Sequence, residues 1–288
     1  MTAIEPTPAT YELTSGITLA ADHWGDPTGM PVVFLHGGGQ TRHSWGGTAA
    51  ALATRGIFVV TVDLRGHGDS SWSPDGTYGL ESYAADNAAL ISQLGQPAVL
   101  VGASLGGLTG MTLEGTVAPG SLRGLALVDI VPRMNHGGAS RILQFMTSNM
   151  ADGFASLDEV ADAIAEYNPH RPRPSTTDGL KKNLRERDGR WYWHWDPATL
   201  PIDPDEIEVS LDRRNADDLA DALARVTVPV LLIRGRRSDL VTEDELADFQ
   251  VTYPDASVID VSEAGHMVAG DKNDLFTDAV TTFVEQFH

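Results

Sequence analysis

Residues 98–107 read Ala98-Val99-Leu100-Val101-Gly102-Ala103-Ser104-Leu105-Gly106-Gly107. The first four suit a buried strand, and Leu105–Val117 carries a helical pattern. Between them a serine stands with glycines close on both sides. That is the sequence form of a sharp strand-to-helix turn that lifts one hydroxyl clear of the backbone. A side chain at 102 or 106 would collide with a neighbouring strand or helix, and glycine also accepts strained dihedrals. The pattern names the Oγ of Ser104 as a site of covalent chemistry. The plainer alternative is an ordinary turn with a helix-capping serine, and the rest of the chain decides between them.

Strand-like and helix-like segments alternate around this turn. Tyr11–Thr14 and Ile17–Trp24 flank Ser15-Gly16 as a hairpin. Pro31–Leu35 is an apolar run ending in His36-Gly37-Gly38-Gly39, Thr48–Arg55 is helical, and Ile57–Val62 is a buried strand. Leu80–Leu94 reads as a helix and Leu125–Val128 as a strand. Such alternation specifies a parallel sheet covered on both faces. From about Val131 to Val226 the β-runs stop. Helical patterns at Ser140–Met150 and Leu157–Tyr167, a proline-rich stretch Pro169–Pro174 and the cluster Trp191-Tyr192-Trp193-His194-Trp195 take their place. Strands resume at Val230–Ile233 and Ser257–Val261, and Leu275–Phe287 reads as a closing helix. The expected organisation is an α/β core of residues 1–130 and 226–288 with a mostly helical domain, 131–225, inserted after the sixth strand.

The chain of 288 residues carries 20 basic and 40 acidic side chains, a formal charge of −20. That argues against nucleic acid or an anionic membrane as partner, since both need a basic footprint. With no cysteine there is no disulfide, no thiolate metal site and no cysteine nucleophile. Met1-Thr2-Ala3-Ile4-Glu5-Pro6 has neither the basic nor the apolar region of an export leader, and no apolar run approaches the roughly 20 residues of a membrane span. A cytoplasmic protein acting on a small molecule is expected. The sequence leaves the oligomeric state open, a homodimer included.

A serine hydroxyl is a poor nucleophile until a base takes its proton and an acid orients that base. Of the nine histidines, five follow Ser104: His136, His170, His194, His266 and His288. His266 lies just past the run Ser257–Val261, at the carboxyl end of a strand, where open α/β sheets build their sites. It is the expected base. His288 is terminal, and the other three lie in the insertion, where a surface or substrate-lining role is expected. Two aspartates compete as acid. Asp239 follows Val230–Ile233 through Arg234-Gly235-Arg236-Arg237-Ser238, and Asp129 ends Leu125–Val128. Asp239 precedes His266 across one strand–helix–strand step, which favours it; Asp129 reads as a brace or a second acid. Arg236 and Arg237 would keep a neighbouring carboxylate ionised. Donors for a developing oxyanion are expected from the Leu105 amide and from the glycine loop, Gly38 first, with Gly39 against the substrate. The loop is no phosphate cradle, because neither dinucleotide nor P-loop spacing is present. His36 reads as a loop brace. At period two Trp191, Trp193 and Trp195 share one side of an extended segment, either to line an apolar pocket or to dock the insertion.

Taken together, His36-Gly37-Gly38-Gly39, Asp63-Leu64-Arg65-Gly66-His67-Gly68-Asp69-Ser70, Gly102–Gly107, Gly235–Asp239 and Ala264-Gly265-His266 resemble the α/β-hydrolase superfamily, in the branch with a cap domain after strand six. The resemblance covers about residues 12–130 and 225–287. It implies a mostly parallel eight-stranded sheet, with Ser104, Asp239 and His266 as nucleophile, acid and base, and no cofactor or metal. It also implies that residues 63–70 brace the loop beside the site. The expected activity is hydrolysis of an ester or lactone of a fairly hydrophobic small molecule through an acyl-enzyme. Superfamily members that open epoxides or displace halides use an aspartate at the elbow, since an ether formed on serine could not be cleaved by water; Ser104 counts against both. A carbon–carbon bond hydrolase would use the same three residues, but members of that group often carry tryptophan or phenylalanine after the histidine, where this chain has Met267. A non-catalytic ligand receptor is the reading from a different class.

Overall fold

Eight strands form one sheet in the order β1-β2-β4-β3-β5-β6-β9-β10. They are β1 (Thr7–Glu12), β2 (Thr18–Trp24), β3 (Pro31–Leu35), β4 (Phe58–Val62), β5 (Ala98–Ala103), β6 (Leu122–Val128), β9 (Val230–Gly235) and β10 (Ser257–Val261). β2 pairs antiparallel with β1 and β4, and the remaining neighbours are parallel. The computed structural model describes residues 4–168, 173, 176–200, 213–262, 264–266, 268 and 273–288.

The continuous apolar strands follow from burial on both faces. Val99 and Val101 of β5 pack to one side with Ala126, Val128 and Ile233. Leu100 points to the other with Leu125, Leu127 and Leu232. The first face is covered by helices α1 (Gly46–Ala53) and α8 (Asn273–Val284) through Leu52, Phe276, Val280 and Phe283. The second is covered by α2 (Leu80–Leu94), α3 (Leu105–Thr112), α6 (Arg213–Ala224) and α7 (Glu243–Thr252) through Leu90, Met111, Leu219, Leu223 and Phe249.

The described residues between β6 and β9 form helices and one short hairpin. Helices α4 (His136–Thr147) and α5 (Leu157–Tyr167) form, capped by the Asn135 and Ser156 side chains. They are followed by a hairpin of β7 (Leu184–Arg187) and β8 (Arg190–Trp193). Its turn is Asp188-Gly189, both with positive φ (52° and 74°), the pairing a tight hairpin turn demands. Met146, Phe154, Val160, Leu184, Trp193 and Trp195 make a small core of their own here. The last part of the segment packs on the main core. α6 contributes Leu219 and Leu223 to the main core, so in packing terms the sheet domain resumes before residue 226. The predicted helix Leu105–Val117 also splits: α3 ends at Thr112 and Leu113–Val117 is a π turn. Gly115 sits against the Ala222 carbonyl of α6, where a Cβ would overlap it.

The segment 63–70 is pinned from beneath. Arg65 grips Asp86 of α2 with two bonds, Nε to Oδ2 at 2.5 Å and Nη2 to Oδ1 at 2.7 Å, and both side chains are buried. Removing one partner strands a buried charge. Asp86→Ala is expected to destabilise the fold by about 3–5 kcal/mol, read as a lower urea midpoint at unchanged m-value.

Candidate active site

The elbow is strained where the sequence places it. Ser104 has φ 45° and ψ −114°, between β5 and α3. A Cβ on Gly102 would overlap the Gly106 carbonyl, and one on Gly106 would overlap the Leu35 carbonyl of β3. The two glycines therefore let α3 cross directly over the strand ends. Leu105 is the first residue of α3, where an amide has no intrahelical partner.

Asp129, the residue after β6, has no solvent exposure and a positive φ of 51°. Its Oδ1 accepts the Gly235 N–H at 2.9 Å. Its Oδ2 accepts the Ser238 hydroxyl at 2.5 Å and His266 Nδ1 at 2.8 Å. Because a carboxylate only accepts, the proton on the imidazole sits on Nδ1, and Nε2 keeps its lone pair.

This corrects the expectation for Asp239. Its carboxylate is 36 % exposed and pairs with Arg141 of α4 at 2.8 Å, not with His266. The reason lies in the loops. Arg236 and Arg237 donate their backbone N–H groups to Val261 and Ala264, drawing the loop after β10 over the end of β9. At the crossing point a Cβ on Gly235 would overlap the Gly265 carbonyl. His266 thus passes over β9 and reaches β6. Arg236 faces Asp260 instead of a site carboxylate. The Ser238 hydroxyl, which also accepts the N–H groups of Leu240 and Val241, was not singled out from sequence. Its signal was its place in the short loop that follows Gly235.

The glycine loop lies beside the serine: a Cβ on Gly37 would stand 3.3 Å from Ser104 Cβ. Its Gly37 carbonyl accepts His36 Nδ1–H at 2.8 Å and the Gln40 N–H at 3.1 Å. That carbonyl belongs to the same planar peptide as the Gly38 N–H, so holding one aims the other in the opposite direction.

Three buried imidazoles lie in a row beside this loop, each ring tilted against the next. His36 and His67 lie 5.1 Å apart, and His67 and His194 5.8 Å. His36 Nε2 accepts the Leu64 N–H, and His67 Nδ1 donates to the Arg65 carbonyl. His194, expected at the surface or lining the substrate, accepts the Gly68 N–H at 2.7 Å and turns Nε2–H to the Gly39 carbonyl at 3.3 Å. Burial pushes their pKa values down to about 4 for His36, about 3 for His67 and about 2 for His194. His136 and His288 are exposed, and His170 and Met267 lie outside the described residues. Trp193 and Trp195 stack at 4.9 Å with Trp191 half-buried beside them, so the period-two reading holds. Among the described residues no cluster of three or more acids and histidines is disposed to hold a metal, and no helix is long and apolar enough to cross a membrane.

The alpha/beta hydrolase family model matches residues 32–279. The chain is 31% identical over 274 residues to an esterase of Mycobacterium tuberculosis, covering 93% of this chain and 86% of that one. It is 31% identical over 297 residues to an sn-1-specific diacylglycerol lipase of Mus musculus, covering 98% and 86%. The crystal structure of E-2-(acetamidomethylene)succinate hydrolase superposes with a TM-score of 0.83 at 26% identity, over 98% of this chain and 100% of that one. The chain belongs to the α/β hydrolase family. It is a hydrolase of that fold.

The row of buried histidines makes stability pH-dependent. Each folded-state pKa lies below the ordinary 6.5, so as pH falls through 6.5 the unfolded chain takes up protons that the folded one refuses. Stability is complete above 6.5 and declines below it, by at most about 1.4 kcal/mol per pH unit for each imidazole. His194→Gln is expected to flatten the urea-midpoint profile between about pH 5.5 and 4.5 by one imidazole's worth, about 1.4 kcal/mol per unit.

Proposed function

We propose that the protein is a serine ester hydrolase in which Ser104 is the nucleophile, His266 the base and Asp129 the acid. One observation carries this reading. His266 presents Nδ1 to a fully buried Asp129 at 2.8 Å, at the end of the strand adjacent to the one that ends in strained Ser104. Asp129 orients the imidazole and stabilises the imidazolium that forms.

His266 Nε2 takes the Ser104 proton as Oγ attacks the ester carbonyl. The carbonyl oxygen becomes an oxyanion facing the Leu105 and Gly38 amides. His266 then gives the proton to the leaving alcohol, and the acyl group stays on Ser104. Water, deprotonated by His266, attacks the acyl-enzyme, and collapse releases the carboxylic acid and restores the serine. Ser238 is a positioning residue: its hydroxyl holds Asp129 Oδ2 in the plane that His266 needs. The cap role of residues 131–212 is supported by Met146 and Trp195, which pack onto Gly38 and Gly39. That apolar cover favours a fairly hydrophobic substrate, as do relatives named esterase and diacylglycerol lipase. Ester cleavage is preferred to carbon–carbon cleavage on the same names.

A fluorophosphonate probe is expected to label Ser104 and no residue of Ser104→Ala, with aryl-ester turnover lost in that variant. A binding protein would show neither. Asp129→Asn is expected to lower kcat/KM roughly a thousand- to ten-thousand-fold, whereas Asp239→Asn stays within about threefold. Ser238→Ala is expected between them, with the loss in kcat and not KM. A larger loss in Asp239→Asn than in Asp129→Asn would overturn the assignment of the acid.

A further inference from the structure

The glycines of the loop at 37–39 are tight for a reason beyond the approach of a substrate. A Cβ on Gly38 would stand 3.2 Å from Met146 Cε and 3.3 Å from its Sδ. A Cβ on Gly39 would stand 3.0 Å from Trp195 Cζ3 and 3.2 Å from Met146 Cε. The thioether of Met146, near the end of α4, therefore packs against Gly38 and Gly39 on the side where their side chains would stand. Met146 is 5 % exposed and packs in the small core with Phe154, Trp193 and Trp195. Ser104 Cβ stands 3.3 Å from where a Cβ on the preceding residue, Gly37, would lie.

We propose that Met146 sets the length of the acyl group this enzyme accepts. The proposal rests on the ester-hydrolase reading above and deepens it. An acyl carbonyl bound with its oxygen at the Gly38 amide has its chain beginning one bond away. A side chain packed against the α-carbons of Gly38 and Gly39 meets the acyl group within its first few carbons. Methionine suits a stop of this kind, because its unbranched thioether fills an irregular gap and yields only within limits. Trp195 backs the thioether and keeps it from swinging away from Gly39. Truncation to alanine removes Cγ, Sδ and Cε and opens space along the chain's path. One buried methylene is worth about fourfold in binding, so a few more methylenes admitted should change selectivity by tenfold or more.

The test uses p-nitrophenyl ethyl alkylphosphonates with methyl, butyl and octyl chains, which place the alkyl group where an acyl chain would lie. Their rate of reaction with Ser104 is followed by p-nitrophenol release and intact mass. In Met146→Ala the octyl-to-methyl rate ratio is expected to rise at least about tenfold over wild type, with a smaller rise in Met146→Val. Thermal melting checks that each variant is folded, and Met146→Val carries the test if the alanine variant is not. A ratio unchanged within twofold in a folded variant overturns the role of Met146 and leaves the ester-hydrolase reading standing. Failure of wild type to react with any of the three overturns the Ser104 reading, and this proposal with it.

Discussion

A carboxylate with no exposure to water must be neutralised or fully hydrogen-bonded where it sits. Asp129 meets that demand with three donors from outside its own strand: the Gly235 amide, the Ser238 hydroxyl and His266 Nδ1. Two come from the loop after β9 and the third from the loop after β10. The charge at the end of β6 thus gathers the carboxyl ends of three strands into one arrangement. Ser104, at the end of β5, is tied in by its own amide, which donates to the Val128 carbonyl next to Asp129.

The other half of the site is organised without charge. His36 and His194 commit both ring nitrogens, and His67 its Nδ1, to backbone groups of the loops at 36–39 and 63–68. Charging any of them would break an accepting contact or place a cation in an apolar setting. His194 belongs to the segment after the hairpin, so that segment is joined to the glycine loop by a directed bond as well as by apolar packing. The result is a loop whose peptide planes are held from below by imidazoles and from above by Met146 and Trp195.

Much of this was legible in the sequence because it is local. The elbow needs only a strand, a serine and two glycines, and the steric reason for Gly102 and Gly106 is the one the structure displays. The sheet follows from apolar runs alternating with helices. Asp129 and not Asp239 meets His266 because chain order is not reach. Asp239 is nearer His266 along the sequence, but a loop can vault a strand if that strand ends in glycine, and Gly235 does. The hairpin was missed although Asp188-Gly189 announces it, since its strands are short and half-polar. His194 looked like a pocket residue because nothing local reveals that Gly68 and Gly39 come to meet it.

Ser104 and Asp129 are both non-glycine residues held at positive φ, at the ends of neighbouring strands. Backbone of this kind stores on the order of 1–3 kcal/mol at each position. Glycine would relax both, but at position 129 it would also leave the Gly235 N–H, the Ser238 hydroxyl and His266 Nδ1 without their acceptor. Of the four non-glycine residues at positive φ among the described residues, these two alone end neighbouring strands of the sheet, so the fold holds its strain there against the hydrogen bonds that Asp129 collects.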